Sequence, residues 1–579
     1  MLGNLYLRGR SEITTPIVIV GAGAAGIALA LALDSSGTPC LLLEAGGDRI
    51  DDAGQDFYRA GSISPADHGP VHRFRRRAFG GTTAIWGGRC IPFDPIDFET
   101  RDWIAHAEWP ILHEEVARYY REALELCRAS APSFRASESL PGAPASMIGD
   151  VSHPDLVLDR LELFSEPTHF GKAYRHRLER SSTTRIVTDA PVSEILTTPN
   201  GREVVGVAVR MPGGGVVRVR APVVVLAAGA LETARLLLSS KSAKSCGLGN
   251  EQDLVGRFYQ SHLEGHIGEI RIASGSAPRF DYERSPEGIY CRRYLWLSPA
   301  AQRRERLAGM ILRPTHAKVA DPDHRDPVLS AMYLVKDLLL PEYSRAMNST
   351  EDAEARAIGR SADVYARHLR NIVLGSPRLT FFAMDWMRRR TLARRKLPSV
   401  VLRKRGNRYP LDLNAEQTPN RESRVLLSPH VDAAGMARLD IQWQTTEQDR
   451  DMIARGFALI ERAVATSDGT RIVADPDRIA RQIAGLTRIG GHHVGTARMG
   501  TSARTGVVDA NCEAFDVAGL YLTGSATFPT SGFANPTLMI VSLTLRLAER
   551  IADVVAGRTE AGSGRTRHAP SRVVDEIAA

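Results

Sequence analysis

Near the N-terminus, the hydrophobic pattern predicts a strand, a tight turn, a helix and a second strand. A short β-branched run at residues 17–20 precedes a glycine-rich turn and an alanine- and leucine-rich segment typical of a helix. A second apolar run, Cys40–Leu43, has the length of a buried strand and ends in Glu44. This order of elements indicates the βαβ unit of an α/β fold.

The turn after the first strand has the G-x-G-x-x-G spacing of dinucleotide-binding folds. Gly21, Gly23 and Gly26 would let the backbone approach a pyrophosphate, while the helix N-terminus supplies amide donors and a favourable dipole. Glu44 lies at the distance expected of a carboxylate that accepts hydrogen bonds from a ribose. The pattern therefore predicts a dinucleotide site, without separating NAD from FAD.

A second strand-turn-helix pattern lies near the C-terminus. The apolar run at residues 520–522 predicts a buried strand, and helical periodicity runs from Thr537 through Ile551. Pro536 disfavours a helical conformation at the residue before it, so the side chain of Asn535 should be free at the helix entrance. The helix start is electropositive, which suits negative charge on a bound ring.

Between these ends, the pattern predicts mixed strands and helices. Residues 201–221 alternate around a Pro-Gly-Gly-Gly turn, as a β-hairpin does. Residues 414–428 and 437–443 are predicted strands of a sheet that covers the active site. Glu416 and Gln417 could then point at substrate hydroxyls, although alternating polar residues on a strand usually face solvent. Residues 327–401 have a helical pattern.

Length and composition indicate a multi-domain globular protein. The 579 residues exceed one ordinary domain, and 43% hydrophobic with 24% charged residues excludes a largely disordered, collagenous or coiled-coil chain. The six cysteines lie far apart without a C-x-x-C pair, which predicts neither a disulfide framework nor a metal site. No export signal and no apolar run of bilayer length is visible, so we expect a cytoplasmic protein.

The formal net charge of +8 is concentrated in one segment. Residues 387–408 contain ten arginines and lysines and no acidic residue. A solvated helix face, a contact with another subunit, a peripheral contact with an anionic membrane and attraction to an acidic substrate all remain open. No nucleic-acid-binding motif accompanies the segment. Residues 557–579 lack apolar periodicity and are predicted to form a disordered tail.

Five motifs in chain order resemble the glucose–methanol–choline (GMC) oxidoreductase family: VGAGAAG with LLLEAG, GGTTAIWGG, VVVLAAGALETARLLLSS, HHVGTARMG and FANPTLMI. The nearest resemblance is to pyranose oxidases and bacterial sugar or polyol dehydrogenases, because the last motif has asparagine where other branches have a second histidine. It implies an α/β fold, α+β overall, in which a Rossmann-like FAD-binding domain is interleaved with a substrate-binding domain. The implied FAD-binding domain comprises residues 1–110, 183–261 and 488–556. The substrate-binding domain comprises residues 111–182 and 262–487, is built on an antiparallel sheet with helices, and contains a basic helical insertion at about 327–408.

The resemblance also implies roles for individual residues. His492 would be the catalytic base, Asn535 its partner at the substrate hydroxyl, and His493 a neighbour at the substrate. No residue is predicted to bind a metal. The implied FAD-binding residues are Gly21, Gly23, Gly26, Glu44, Gly80, Gly81, Thr82, Thr83, Trp86, Gly87, Gly88, Val192, Ala228, Gly524, Ser525, Ala534, Asn535 and Thr537.

The implied reaction is FAD-dependent oxidation of an alcohol group on a sugar, glycoside or polyol. A dehydrogenase with an unidentified electron acceptor is favoured over an oxidase. Family members with covalent FAD use a histidine at the position of Ile85, so we expect non-covalent FAD. The alternatives are an FAD-containing lyase of the same family, a simple-alcohol oxidase that uses oxygen, and a non-catalytic flavin-binding protein.

Overall fold

The computed structural model describes residues 6–65, 68–166, 168–211, 214–339, 361–403 and 406–557. A five-stranded parallel sheet contains both predicted N-terminal strands, and its strands come from three distant parts of the chain. Their spatial order is Leu520–Leu522, Val223–Leu226, Ile17–Val20, Cys40–Leu43 and Thr184–Val187. The first four strands in this order are buried along their whole length, as expected of apolar parallel strands between layers of helices. The predicted α/β class is confirmed.

Helices cover this central parallel sheet, and one glycine sets how closely the first helix approaches it. Helix Ala24–Ser35 packs against helices Phe170–Glu179 and Thr537–Val555. A Cβ atom on Gly26 would lie 1.8 Å from the carbonyl oxygen of Gly21, so any side chain there would push the helix away from the turn. Gly26 therefore serves helix–turn packing.

The predicted hairpin is present in a second, four-stranded sheet. Strands Val204–Arg210 and Val216–Arg220 pair antiparallel, with Val207 opposite Val219. Strands Glu12–Thr14 and Val192–Thr197 complete this sheet at its two edges. Strand Val223–Leu226 comes directly after the hairpin and is followed by helix Gly229–Ser239.

A larger antiparallel sheet is built from strands between residues 156 and 488. Its strand order is Arg471–Val473, Leu263–Arg271, Arg408–Ala415, Met310–Pro314, Leu295–Leu297 and Leu156–Val157, and Thr487–Arg488 also pairs with Leu263–Arg271. A neighbouring four-stranded sheet contains Glu283–Arg284, Tyr290–Arg293, Leu161–Phe164 and Arg89–Cys90. The domain boundaries given above stay a prediction.

The strands predicted to cover the site are arranged differently from the expectation. Residues 414–428 are not one strand, because strand Arg408–Ala415 ends there and a loop precedes strand Arg424–Val431. Strands Arg424–Val431 and Ala437–Gln442 pair with each other and with Ser62–Ser64 in a separate three-stranded sheet. Glu416 and Gln417 therefore lie in the loop rather than on a strand.

The remaining helices include the predicted insertion. It contains helices Pro327–Leu339, Ala362–Leu374 and Ser376–Trp386 and a π-helical turn at Met387–Thr391. The helical part ends there, since described residues 392–403, 406 and 407 have no regular structure. Other helices are Asp52–Asp56, Pro95–Phe98, His113–Ala117, Tyr120–Cys127, Ala136–Ser139, Pro299–Glu305, Glu447–Val464 and Pro476–Ala484, with short 3₁₀ turns at Val71–Arg73, Gly81–Ala84, Pro322–His324 and Ser525–Thr527.

Two expectations lie wholly or partly outside the described residues. The predicted tail begins at Gly557, and residues 558–579 are not described; nor are residues 340–360 within the insertion. Among the helices that are described, none has both the length and the apolar composition needed to cross a bilayer.

Candidate active site

A cavity of about 1810 Å³ opens at the carboxyl ends of the central parallel strands. Residues at or just after four strand ends line it, namely Val20 and Gly21, Leu43 and Glu44, Ala227 and Ala228, and Gly524. Open α/β sheets bind their ligands in this position, where the turns leave backbone groups unpaired. The cavity is therefore the candidate active site.

Gly23 and Gly524 in the cavity wall form a cradle, a hollow that side chains at these two positions would fill. A Cβ atom added to Gly23 or to Gly524 meets no protein atom within 4 Å, because both positions face the cavity. Gly23 also precedes helix Ala24–Ser35, and no side chain caps that helix start. Its free amide groups and positive dipole end suit a pyrophosphate. This cradle fits the predicted FAD.

Glu44 occupies the wall of the same cavity and is held by backbone amides. Oε2 accepts a hydrogen bond from the Ala22 amide and Oε1 one from the Gly46 amide, both at 2.8 Å. Burial raises the pKa of Glu44 to about 7, although the amide hydrogen bonds oppose that shift. Each carboxylate oxygen has a further lone pair, so the residue can accept from ribose hydroxyls.

In the second glycine-rich loop, residues 80–88, some of the predicted residues line the cavity and others do not. Gly81, Thr82, Thr83, Trp86 and Gly87 line the cavity. The other two glycines of the loop, Gly80 and Gly88, do not, and a Cβ on the former would lie 2.4 Å from the ring of His169.

Hydrogen bonds hold the same loop in place. Trp86 Nε1 donates to the Thr168 carbonyl at 2.9 Å, and the Phe170 amide donates to Thr83 Oγ1 at 3.0 Å. The loop is therefore anchored to the segment that precedes helix Phe170–Glu179.

The other predicted cofactor residues divide in the same way. Val192, Ala228, Ser525, Asn535 and Thr537 line the cavity, whereas Gly26 and Ala534 are buried away from its wall. The close approach of Gly26 to the Gly21 carbonyl, which leaves no room for a Cβ atom, explains its position.

His492 and Asn535 meet on the cavity wall, and a third residue, His262, extends the contact inward. Asn535 Nδ2 lies 3.1 Å from His492 Nε2, and His492 Nδ1 lies 2.7 Å from His262 Nδ1. His262 Nε2 lies 3.0 Å from the Ser531 carbonyl oxygen. These contacts form a chain from a buried carbonyl to the cavity.

The Ser531 carbonyl decides where the protons of this chain lie. A carbonyl oxygen can only accept, so His262 Nε2 carries a proton; a neutral His262 then has an accepting Nδ1. His492 Nδ1 must therefore donate to His262, which leaves His492 Nε2 with a free lone pair. Asn535 Nδ2 donates to that lone pair in the structure. His492 Nε2 is thus the basic atom of the site.

Desolvation keeps both histidines of this chain neutral. Burial lowers the pKa of His262 to about 4. The pKa of His492 also lies well below 6.5, chiefly because the surrounding protein desolvates it. Repulsion from His262, which acts when both rings would carry a proton, and from the cations Arg89 and Arg488 lowers it further. Both rings are therefore uncharged at neutral pH, as the proton assignment requires.

A second chain of the same kind ends on His493, whose Nε2 has no hydrogen-bond partner among the described atoms. His493 Nδ1 lies 2.7 Å from the Tyr259 hydroxyl, which lies 3.0 Å from His68 Nε2. His68 Nδ1 lies 3.0 Å from the Gly69 carbonyl oxygen, so the same reasoning leaves His493 Nε2 unprotonated. This buried residue also lines the cavity.

Glu416 and Gln417 do not reach the cavity and are corrected here as substrate residues. Glu416 forms a fully buried bidentate ion pair with Arg101, at 2.7 and 2.6 Å. Gln417 Oε1 accepts from the Ser261 amide and from Trp443 Nε1, each at 2.9 Å, and its amide donates to the Gln444 carbonyl. Their polar atoms are used within the protein, so both residues hold the fold together.

The sequence analysis missed His262, Tyr259 and His68. No motif marks them, because each is a single residue far along the chain from its partner. The buried YQSH sequence at residues 259–262, directly before strand Leu263–Arg271, is the one local signal that could have drawn attention to two of them.

Comparison with known families agrees with this arrangement. The family described as "FAD dependent oxidoreductase" matches residues 16–334, more than half of the chain. The family described as "GMC oxidoreductase" matches residues 419–544, which include His492 and Asn535. The chain belongs to the FAD dependent oxidoreductases, and its C-terminal part matches the GMC oxidoreductases. The predicted family and the FAD cofactor are confirmed.

Individual relatives carry names of both oxidases and dehydrogenases. A C-glycoside 3-oxidase of Arthrobacter globiformis is 31% identical over 150 residues, which cover 26% of this chain and 28% of the relative. A 2-methyl-1,2-propanediol dehydrogenase of Mycolicibacterium austroafricanum is 21% identical over 94% of this chain and 97% of its own length. The solved pyridoxine 4-oxidase from Mesorbium loti shares the fold, with a TM-score of 0.50, 17% identity, and coverage of 93% of this chain and 99% of that one.

Proposed function

We propose that this protein oxidises a CH–OH group of a sugar, glycoside or polyol. The observation that carries the proposal is the pair His492 and Asn535, which places an unprotonated imidazole nitrogen on the wall of the cavity with the FAD cradle. FAD, when bound, supplies the acceptor for the hydride that leaves the carbinol carbon. The names of two relatives, a C-glycoside 3-oxidase and a 2-methyl-1,2-propanediol dehydrogenase, support substrates of this class.

In this proposal, His492 Nε2 accepts the hydroxyl proton of the alcohol. The lone pair is available because His262 and the Ser531 carbonyl hold the proton of His492 on Nδ1. Because the tautomer is fixed, His492 Nε2 is already unprotonated when the alcohol binds, as a general base must be. His262 is therefore a positioning residue, and His492 is the residue that contacts the substrate.

Asn535 is proposed to orient the same hydroxyl. In the structure its Nδ2 donates to His492 Nε2, and with an alcohol bound this Nδ2 would donate to the alcohol oxygen instead, because the single hydroxyl proton goes to His492. Pro536 fixes the residue at the entrance of helix Thr537–Val555, whose positive end favours the negative charge that grows on the alcohol oxygen. A hydroxyl bound between the two side chains would accept a hydrogen bond from Asn535 Nδ2 and donate one to His492 Nε2.

The proposal is tested by mixing the purified holoenzyme, without oxygen, with sugars, glycosides, polyols and aliphatic alcohols. Loss of the oxidised flavin absorbance with at least one CH–OH compound is the expected result. A flavin that no alcohol bleaches would refute the proposal, and cyanide release from a cyanohydrin without bleaching would identify a lyase.

We propose a dehydrogenase rather than an oxidase, as the motif resemblance favours. Comparing turnover with a dye or quinone acceptor against turnover with oxygen tests this preference. Faster reoxidation by oxygen would show that the enzyme is an oxidase.

We expect the FAD to be bound non-covalently. Ile85 lines the cavity beside Trp86 at the position where covalent family members have a histidine, and an alkyl side chain cannot form a bond to the flavin. Denaturing the holoenzyme with acid should therefore release yellow flavin into the supernatant. A precipitate that keeps its flavin absorbance would contradict this expectation.

The pH profile should reflect the low pKa of His492. The base works only when Nε2 is unprotonated, so activity is present above the pKa of His492 and is lost as the pH falls through it. The limiting rate of flavin reduction at saturating alcohol should stay flat from about pH 8 to about pH 6 and fall only in more acidic buffer. A rate that is already halved near pH 6.5, with the flavin spectrum unchanged, would contradict the assigned environment of His492.

His493 is proposed to accept a hydrogen bond from a second hydroxyl of the substrate. Because His493 lines the cavity and its Nε2 has no partner among the described atoms, a His493→Phe variant should raise KM for a polyol about tenfold, the worth of one buried hydrogen bond. KM for an alcohol with a single hydroxyl serves as the control and should not change. Equal effects on both alcohols would mean that the residue acts on the fold or on FAD instead.

A further inference from the structure

The insertion exposes an unusual number of large hydrophobic side chains. Eight of the fourteen such exposed side chains in the described part of the chain lie between Tyr365 and Leu392. Four of them are more than two-thirds exposed: Val373 at 71%, Leu374 at 72%, Phe381 at 71% and Leu392 at 76%. A concentration of exposed apolar side chains usually marks an interaction site.

Helix Ser376–Trp386 shows the same feature most clearly. Its sequence, SPRLTFFAMDW, is rich in apolar residues, and none of its eleven residues is buried. An amphipathic helix normally buries one face against its own protein. This helix instead leaves side chains such as Phe381 and Met384 exposed, so no described part of the chain buries them.

Positive charge surrounds this apolar surface. Residues 361–403 contain ten arginines and lysines and two aspartates, a formal charge of +8 that equals the charge of the whole chain. Arg388 and Arg394 are exposed and form no ion pair with any described residue. The partner of this surface is therefore expected to be both apolar and anionic.

The same segment borders the candidate active site. Leu379, Phe382, Trp386 and Met387 line the cavity, and Met387 is 56% exposed, so the cavity reaches the surface beside the exposed apolar residues. The exposed apolar surface and part of the cavity wall therefore belong to the same helical segment.

We propose that residues 361–403, here called the interfacial segment, dock on an anionic lipid bilayer. Exposed apolar side chains would enter the boundary between headgroups and acyl chains, while guanidinium groups bind lipid phosphates. No described helix is able to cross the bilayer, so the contact is peripheral. A second copy of the chain is a poor occupant, because a two-fold contact would place the same +8 segment against itself.

Sedimentation of the holoenzyme with vesicles tests the proposal. One vesicle preparation contains phosphatidylcholine alone, and the other contains phosphatidylcholine with a third phosphatidylglycerol. The protein should sediment with the anionic vesicles, and raising the salt concentration should weaken this binding because salt screens the charges. Absence of binding to anionic vesicles, or equal binding to both preparations, would overturn the proposal.

Two sets of substitutions separate the apolar and the charged contributions. Changing Arg388 and Arg394 to glutamine should weaken binding roughly thirtyfold, since each cation near an anionic surface contributes about 1 kcal/mol. Changing Leu374, Phe381 and Met384 to serine should also release the protein from the vesicles. None of these five residues lines the cavity, so flavin content and activity toward a soluble alcohol should be retained.

The matched control changes exposed hydrophobic residues elsewhere. Leu112 and Val216 are 67% and 51% exposed and lie outside the interfacial segment, so their serine variants should bind vesicles like the unaltered protein. Equal loss of binding in the control would overturn the proposal. So would a dimer in solution that the Leu374, Phe381 and Met384 changes dissociate while leaving vesicle binding intact.

Discussion

An alanine in place of His492 is expected to slow anaerobic flavin reduction by alcohol by about 10²- to 10⁴-fold, the usual contribution of a positioned general base. The substitution removes the one nitrogen on the cavity wall that the His262 and Ser531 contacts leave unprotonated and that Asn535 faces. The stopped-flow rate of absorbance loss at saturating alcohol measures the effect. Flavin content should stay normal, because the FAD cradle does not include this imidazole.

An exposed histidine supplies the control for that experiment. His430 lies outside the cavity lining, so His430→Ala should reduce its flavin at the unaltered rate. A His492→Ala variant that keeps its flavin and is reduced within tenfold of the unaltered rate would rule out His492 as the base.

Breaking the buried pair between Arg101 and Glu416 is expected to have the largest effect on stability. Both side chains are fully buried, and each would be left as an uncompensated charge without the other. Arg101→Met or Glu416→Gln should therefore lower the free energy of unfolding by about 3–5 kcal/mol, whereas a double change to methionine should cost less than the two single changes together. Denaturant unfolding of the holoenzyme measures these differences.

A surface pair provides the comparison. Arg455 and Asp451 form an exposed ion pair one helical turn apart, so Arg455→Ala should change the free energy of unfolding by less than about 0.5 kcal/mol. If the buried and the exposed pair gave equal effects, the structural role assigned to Glu416 would be wrong.

Local patterns explain how much of the fold could be predicted. The strand at residues 17–20, the glycine turn and the helix after it are encoded by adjacent residues, as is the helix that follows Pro536. The FAD motif likewise depends on fixed spacing, so Gly23 and Glu44 could be placed at the cavity from the sequence.

Long-range partners explain what could not be predicted. Glu416 has the alternating polar surroundings of a strand residue, but its environment is set by Arg101, which lies 315 positions earlier in the chain. His262 and His492 are separated by 230 positions, and nothing in either neighbourhood indicates that the two rings share a proton. Such contacts depend on how the sheets pack, which neither spacing nor periodicity describes.

The central claim is that an alcohol loses a hydride from its carbinol carbon in the cavity that His492 and Asn535 line. The most direct test is the anaerobic rate of flavin reduction by one alcohol substrate, measured with hydrogen and with deuterium on the carbon that bears the hydroxyl. The account predicts full bleaching with both and a clearly slower rate with the deuterated alcohol. The account would be contradicted if the alcohol did not bleach the flavin. It would also be contradicted if bleaching were as fast in the His492→Ala variant as in the unaltered protein.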